Sequence, residues 1–144
     1  MKKIVLDAPQ LADDQIDMVN KIYFSIDFND RSSVEANVHK KINGYKQQDR
    51  KKNRFNKDFF ITYDEIIEKL IISNLLCFYC KKKTLIDYKT RRDPRQWTLD
   101  RIDNKIGHNN NNVVISCLKC NLEKRARSHE KFEFTKQMKI IKKK

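Results

Sequence analysis

Cys77-x-x-Cys80 and Cys117-x-x-Cys120 supply four thiols in two pairs, and inside them runs QWTLDRIDNKIGHNNNNVVISCLKCN, Gln96 to Asn121, with six asparagines, two aspartates and one histidine. A CxxC pair presents both sulfurs to one ion from a tight knuckle, and two pairs complete the tetrahedral thiolate set of a zinc ion. A set of four cysteines leaves no open coordination position, so this zinc would be structural rather than catalytic. The pairs stand 36 residues apart, beyond the roughly 15 to 20 of a simple zinc ribbon, so a structure of its own must fit between the knuckles. Asp100, Asp103 and the asparagine amide oxygens are hard donors that suit magnesium or manganese. Arg101 follows Asp100 directly; its guanidinium has no lone pair to take a proton, but it can grip a phosphate in bidentate fashion or offset charge in a transition state.

The elements that must position these groups show in the apolar spacing. Val34, Val38, Ile42 and Tyr45 share one helical face, with Ser32 or Ser33 as expected N-cap and Gly44 as a weak point. Thr62 followed three residues later by Glu65 is a capping-box pattern, and Ile66, Ile67, Leu70 and Ile71 make the stripe of a core helix that delivers the chain to Cys77. Trp97, Leu99 and Ile102 predict one or two short strands, with Trp97 in the core, and Val113 to Ser116 predicts another. Beyond Cys120 the composition is helical, with Leu122 and Ala126 on one face and Phe132, Met138 and Ile141 extending an apolar side; Lys142 to Lys144 are expected to fray.

A chain of 144 residues suggests one core, and 39% apolar residues with eight Phe can build it. Two Gly and two Pro are too few for Rossmann, P-loop or many-stranded β architectures, so helices should dominate. The formal net charge of +13 favours a polyanion as partner. That charge is uneven: the first 30 residues hold six acids against three lysines, which predicts an acidic arm or first helix, whereas Lys40 to Lys57 holds eight Lys or Arg against Asp49 alone. No apolar run approaches the roughly 20 residues of a membrane span, and MKKIVLDAPQL is too short in apolar residues for a signal peptide. The expectation is an intracellular protein in a reducing compartment, where disulfides would not persist.

The order CxxC, a strand ending in LDRID, a turn with Gly, NVV before CLKCN, and Lys124 on the next helix resembles a zinc-anchored HNH endonuclease of the ββα-metal type. The DRIDN variant with GH before the asparagine strand is most similar to proteins of phages and giant DNA viruses. The resemblance covers Cys77 to Arg127 and implies an α+β fold, a helical N-terminal part followed by the four-cysteine zinc-anchored ββα-metal module. The division expected is an acidic arm and basic helical segment over 1–60, the module over 61–127, and a basic helix or tail over 128–144.

By motif position the resemblance makes Asp100 and Asn121 ligands of one magnesium or manganese ion, and Asn112 the brace of the hairpin loop. The histidine that deprotonates water in that family stands immediately after the aspartate, where this chain has Arg101. His108, in the turn, is the replacement base that the sequence offers, because its side chain exchanges protons near neutral pH. Asp103 is a further candidate ligand or base, while His39 and His129, without motif support, are expected at the surface. Lys46, Arg50, Lys51, Lys52, Arg54, Lys124, Arg125 and Arg127 are the candidate contacts to nucleic acid, expected to be DNA. The expected activity is metal-dependent cleavage of DNA. The rival expectation is an inactive HNH-derived module that binds nucleic acid or serves as a subunit of a viral assembly, in host cytoplasm, nucleus or virion.

Overall fold

The computed structural model describes residues 8–125 and 127–143, with side chains over 14–140 except 126. Asp7, Ala126 and Lys144, and the side chains of Asp13, Ile141, Lys142 and Lys143, lie outside the described part. Helix α1 (Ala8–Tyr23) buries Val19 and Ile22, so this part of the acidic segment is a packed helix. Helix α2 (Arg31–Lys51) buries Val34 and Val38 and half-buries Ile42 and Tyr45 along the expected stripe. It runs unbroken through Gly44, where a Cβ would meet nothing within 4 Å. Its N-cap is Asp30, not Ser32 or Ser33: the Val34 amide already donates to the Asp30 carbonyl at 2.9 Å, which puts both serines inside the first turn.

Helix α3 (Tyr63–Ile72) carries the predicted capping box. The Glu65 amide donates to Thr62 Oγ1 at 3.2 Å, and the Thr62 amide donates to Glu65 Oε1 at 2.9 Å. Strand β1 (Trp97–Arg101) pairs antiparallel with β2 (Val113–Cys117), Trp97 opposite Cys117 and Arg101 opposite Val113. Ile102 lies one residue beyond β1. Helix α4 (Leu118–Lys124) follows at once and completes a ββα order. The helical stretch expected after Cys120 is two helices, because Arg125 takes φ 51° and ψ −124° and ends α4 before α5 (His129–Lys143) begins. Leu122 is 61% exposed and Met138 42%, so neither joins the core that their spacing suggested.

A two-stranded sheet cannot bury itself. One apolar cluster therefore runs from Val19 and Val34 through Ile66 and Leu70 to Trp97, Leu99 and Ile115. It crosses the 60/61 boundary expected from composition, so α1 and α2 share the core of the ββα elements. A second cluster joins the cysteines to Tyr79 and to Phe132 of α5. No helix among the described residues is long and apolar enough to cross a membrane.

Candidate functional site

The four cysteine sulfurs lie within 4.8 Å of one another, all as free thiols, at the end of α3 and around the start of α4. Lys81, at φ 63°, turns the first knuckle back so that its amide donates to the Cys77 carbonyl at 3.0 Å. In the second, the Cys120 amide donates to Cys117 Sγ at 3.4 Å. Cys80 and Cys117 sulfurs stand 3.9 Å apart. An ion about 2.3 Å from four tetrahedral sulfurs would space them about 3.8 Å apart, so the donor set fits one such ion.

Beside this candidate metal centre a cleft of about 370 Å³ is lined by Asp100, Arg101, His108, Asn121 and Arg125. One face of α2 forms the opposite wall through Lys41, Gly44, Tyr45 and Gln48, at the spacing of successive helical turns. Four residues that the sequence set in the catalytic group thus share one cavity. Asn112 lies under it: its Nδ2 donates to the carbonyls of Asp103, Ile106 and Gly107 at 3.1, 3.2 and 2.9 Å, and its Oδ1 accepts from the Asp103 amide at 2.9 Å. One side chain thereby holds the loop between the strands closed. Asp103 itself is exposed and caps the Lys105 amide at 2.9 Å, a turn-forming role.

His108 is buried, and its partner is Asp49, an acid of the basic stretch that no sequence pattern singles out. Asp49 is 1% exposed on the last turn of α2. Its Oδ2 accepts from the His108 amide at 2.7 Å and its Oδ1 from His108 Nδ1 at 2.9 Å. A carboxylate only accepts, so Nδ1 carries the proton and Nε2 keeps its lone pair. Tyr45 stacks on the imidazole at 4.4 Å and its hydroxyl accepts from the Leu99 amide at 3.0 Å, which ties the ring to β1. Burial pushes the His108 pKa below the ordinary value, against the opposing pull of Asp49, so the imidazole is neutral at neutral pH. Gly107 makes the seat feasible: a Cβ there would stand 2.6 Å from Asp49 Oδ2 and 2.7 Å from the Arg54 carbonyl.

Asp100 is held differently. Its Oδ2 accepts from the Tyr79 hydroxyl and pairs with Lys124 Nζ at 3.0 Å; Lys124 also donates to the Arg101 carbonyl at 2.8 Å. Because Tyr79 gives its proton to Asp100, its oxygen receives one from His129 Nδ1 at 2.8 Å. Burial and the neighbouring carboxylate push the Tyr79 phenol up, so it remains a donor. Two expectations are corrected here. Lys124 has no exposed surface and cannot reach a phosphate backbone, because it neutralises Asp100 instead. His129 is 8% exposed, buried against Tyr79 and Phe78, whereas His39 is exposed and stacks on Tyr63 as a surface residue can.

Asn121 spends its Nδ2 on Thr98 Oγ1 at 3.0 Å and the Leu99 carbonyl at 3.3 Å, leaving Oδ1 as acceptor. An oxygen-loving cation would thus find one amide oxygen and whatever Asp100 can offer beyond the oxygen held by Lys124. Arg101 is half-buried, with its guanidinium donating to the Asn104 carbonyl; burial, then the neighbouring Arg54, lower its pKa. Lys41 donates to Gln96 Oε1 at 2.7 Å and to the Trp97 carbonyl, and burial lowers it to about 7.

Of the eight candidate contacts to nucleic acid, Arg125 alone lines the cleft, and the others lie around it. Arg125 is on its rim; Lys46 and Arg50 lie over the rings of Phe60 and Phe55; Lys51 and Lys52 are exposed at the end of α2, with Arg54 half-buried beyond it. Arg127 is exposed over Phe132 and donates to the Glu123 carbonyl. No protein-family profile, curated protein or solved structure matches this chain.

Proposed function

We propose that the chain is a metal-dependent nuclease of HNH type that cleaves phosphodiester bonds in nucleic acid, DNA being the expected substrate, with His108 in place of the base histidine. The observation that carries the reading is His108, paired with Asp49, in the same cleft as Asp100, Arg101 and Asn121. A neutral imidazole with its lone pair on Nε2 is the form a general base needs near neutral pH. Asp49 fixes that tautomer and stabilises the imidazolium that forms when a water proton is taken up, and Arg101 grips the scissile phosphate. Asp100 and Asn121 would hold a magnesium-class ion, which supplies charge stabilisation at the phosphate and leaving oxygen when bound. The four cysteines would hold a structural zinc, which would fix the start of α4, and with it Asn121, against β1.

A second reading, an HNH-derived module that binds nucleic acid without cutting it, is favoured by the Lys124–Asp100 pair, which neutralises the carboxylate that a cation would need. Asp100→Asn combined with Lys124→Met separates the two, since the double variant removes the carboxylate without leaving the charge of either partner buried alone. Under the first reading, magnesium- or manganese-dependent plasmid nicking falls at least about 100-fold while DNA affinity stays within about twofold. Nicking as fast as wild type would remove Asp100 from the chemistry, and absence of nicking by both proteins alongside unchanged binding would select the second reading.

A further inference from the structure

Of the Lys and Arg residues from Lys40 to Lys57, Lys41 alone lines the cleft, so the course of a bound strand need not follow the basic end of α2. A second concavity, of about 410 Å³, adjoins the cleft and shares Lys41 and Gln96 with its wall. Lys40, Lys89 and Arg91 are its exposed rim, and Tyr88 is part of its lining. Gln96 secures the divide between the two cavities: it accepts from Lys41 Nζ and donates to the Arg91 carbonyl at 2.8 Å and the Asp93 carbonyl at 3.1 Å. The Lys41 ammonium lies 4.8 Å from the Trp97 ring centre and 5.2 Å from that of Tyr88, so α2, β1 and the connection before β1 meet at one cation.

Charge distinguishes this side from the wall beyond the basic stretch of α2. Among the described residues, Asp100, already paired with Lys124, is the one acid in the lining of either cavity. None of Lys40, Lys89 and Arg91 is in an ion pair with a described residue. The cavity after the basic stretch of α2, by contrast, has Asp58 and Glu65 in its wall beside Lys57. An unpaired cationic rim on a concave wall that opens into the candidate site is the arrangement that neutralises successive phosphates and releases their counterions.

We infer that a nucleic-acid strand leaves the cleft across Lys41 and Gln96 and lays its phosphates along Lys40, Lys89 and Arg91, rather than along Arg50, Lys51 and Lys52. The inference rests on reading the cleft as a nucleic-acid site. Lys41 stays bonded to Gln96 and Trp97 as a fixed part of the wall, and the exposed rim residues make the moving contacts.

The test is fluorescence anisotropy of a labelled single-stranded DNA oligonucleotide with the full zinc-loaded chain, without added magnesium or manganese, over a series of salt concentrations. Three proteins are compared: wild type, the triple variant Lys40→Gln, Lys89→Gln, Arg91→Gln, and the triple variant Arg50→Gln, Lys51→Gln, Lys52→Gln. All six positions are exposed, so both variants should fold. Three lost single-strand contacts should lower the slope of log affinity against log salt by about 2 in the first variant, with a change below about 0.7 in the second. Equal losses in both variants, or a larger loss in the second, would overturn the proposed course while leaving nucleic-acid binding intact. A wild type that binds neither single-stranded nor duplex DNA nor RNA would overturn the course and the reading of the cleft together.

Discussion

Gly107→Ala probes the Asp49–His108 seat most economically, because it alters neither charge nor hydrogen-bonding capacity. The new Cβ would stand 2.6 Å from Asp49 Oδ2 against the 3.4 Å at which ordinary contact begins, an overlap of 0.8 Å. The Arg54 carbonyl, 2.7 Å away on another side, is backbone and cannot swing aside. Moving the Asp49 carboxylate out by that amount would carry its bonds to the His108 amide and Nδ1 from 2.7 and 2.9 Å to beyond useful length. Each such bond to a charged group contributes about 1.5 to 3 kcal/mol, and overpacking without that movement costs about 1 to 3 kcal/mol. Relaxation takes the cheaper mixture, so a loss of about 3 kcal/mol is expected. For a chain of this size that is a fall in Tm of roughly 12 °C, at about 4 °C per kcal/mol. Urea unfolding of wild type and variant, with calorimetry as a check, measures it. A difference under about 0.5 kcal/mol would refute the argument that the loop and α2 meet through Asp49 with no spare room.

Gly44→Ala is the matching control: with open space at its Cβ and a position inside α2, it should stabilise the fold by about 1 kcal/mol, and an unchanged or lower urea midpoint would count against an uninterrupted α2. Lys124→Met leaves the Asp100 carboxylate buried without its cation and should cost about 3 to 5 kcal/mol, most of it recovered by adding Asp100→Asn; additive losses in that cycle would mean the pair is not coupled. Stripping the cysteine site with a chelator should release one zinc per chain, measured by elemental analysis, and expose four titratable thiols; four thiols fully reactive before chelation would remove the metal centre. Because Asp49 favours the imidazolium of His108, Asp49→Asn should move the acid limb of the cleavage rate to lower pH while its plateau falls, and a limb that moves to higher pH would contradict the pairing.

What the sequence conveys well is local or repeats at short range. The paired CxxC motifs, the Thr62–Glu65 box and the Trp97 and Leu99 spacing each mark their own element within a few residues, and the structure has the cluster, the cap and the strand there, although β1 is buried on both faces. The HNH identity drawn from that order remains the proposal, while the mixed fold and the clustered cysteines are plain in the structure. Asp49 was hidden because its partner is 59 residues away and its neighbours are cations, so that nothing local marks it as buried. Tyr79 and His129 were hidden for a related reason. A tyrosine inside a knuckle and a histidine at the start of a basic helix meet only when α5 folds back over the cysteines. Lys124 reads as one more surface cation until the Asp100 side chain is known to be buried beside it. The face of α2 that lines the cleft was masked by the apolar stripe beside it, with Tyr45 belonging to both.

The decisive measurement is single-turnover cleavage of supercoiled plasmid by the zinc-loaded chain with magnesium or manganese, comparing wild type with His108→Gln at equal occupancy of DNA. Loss of about 100-fold or more in the cleavage rate, with binding unchanged, is the result expected if His108 on Asp49 takes the water proton. Cleavage by the variant at the wild-type rate and with the same pH profile would show that the pair is a structural clasp between α2 and the loop, and that water is activated elsewhere.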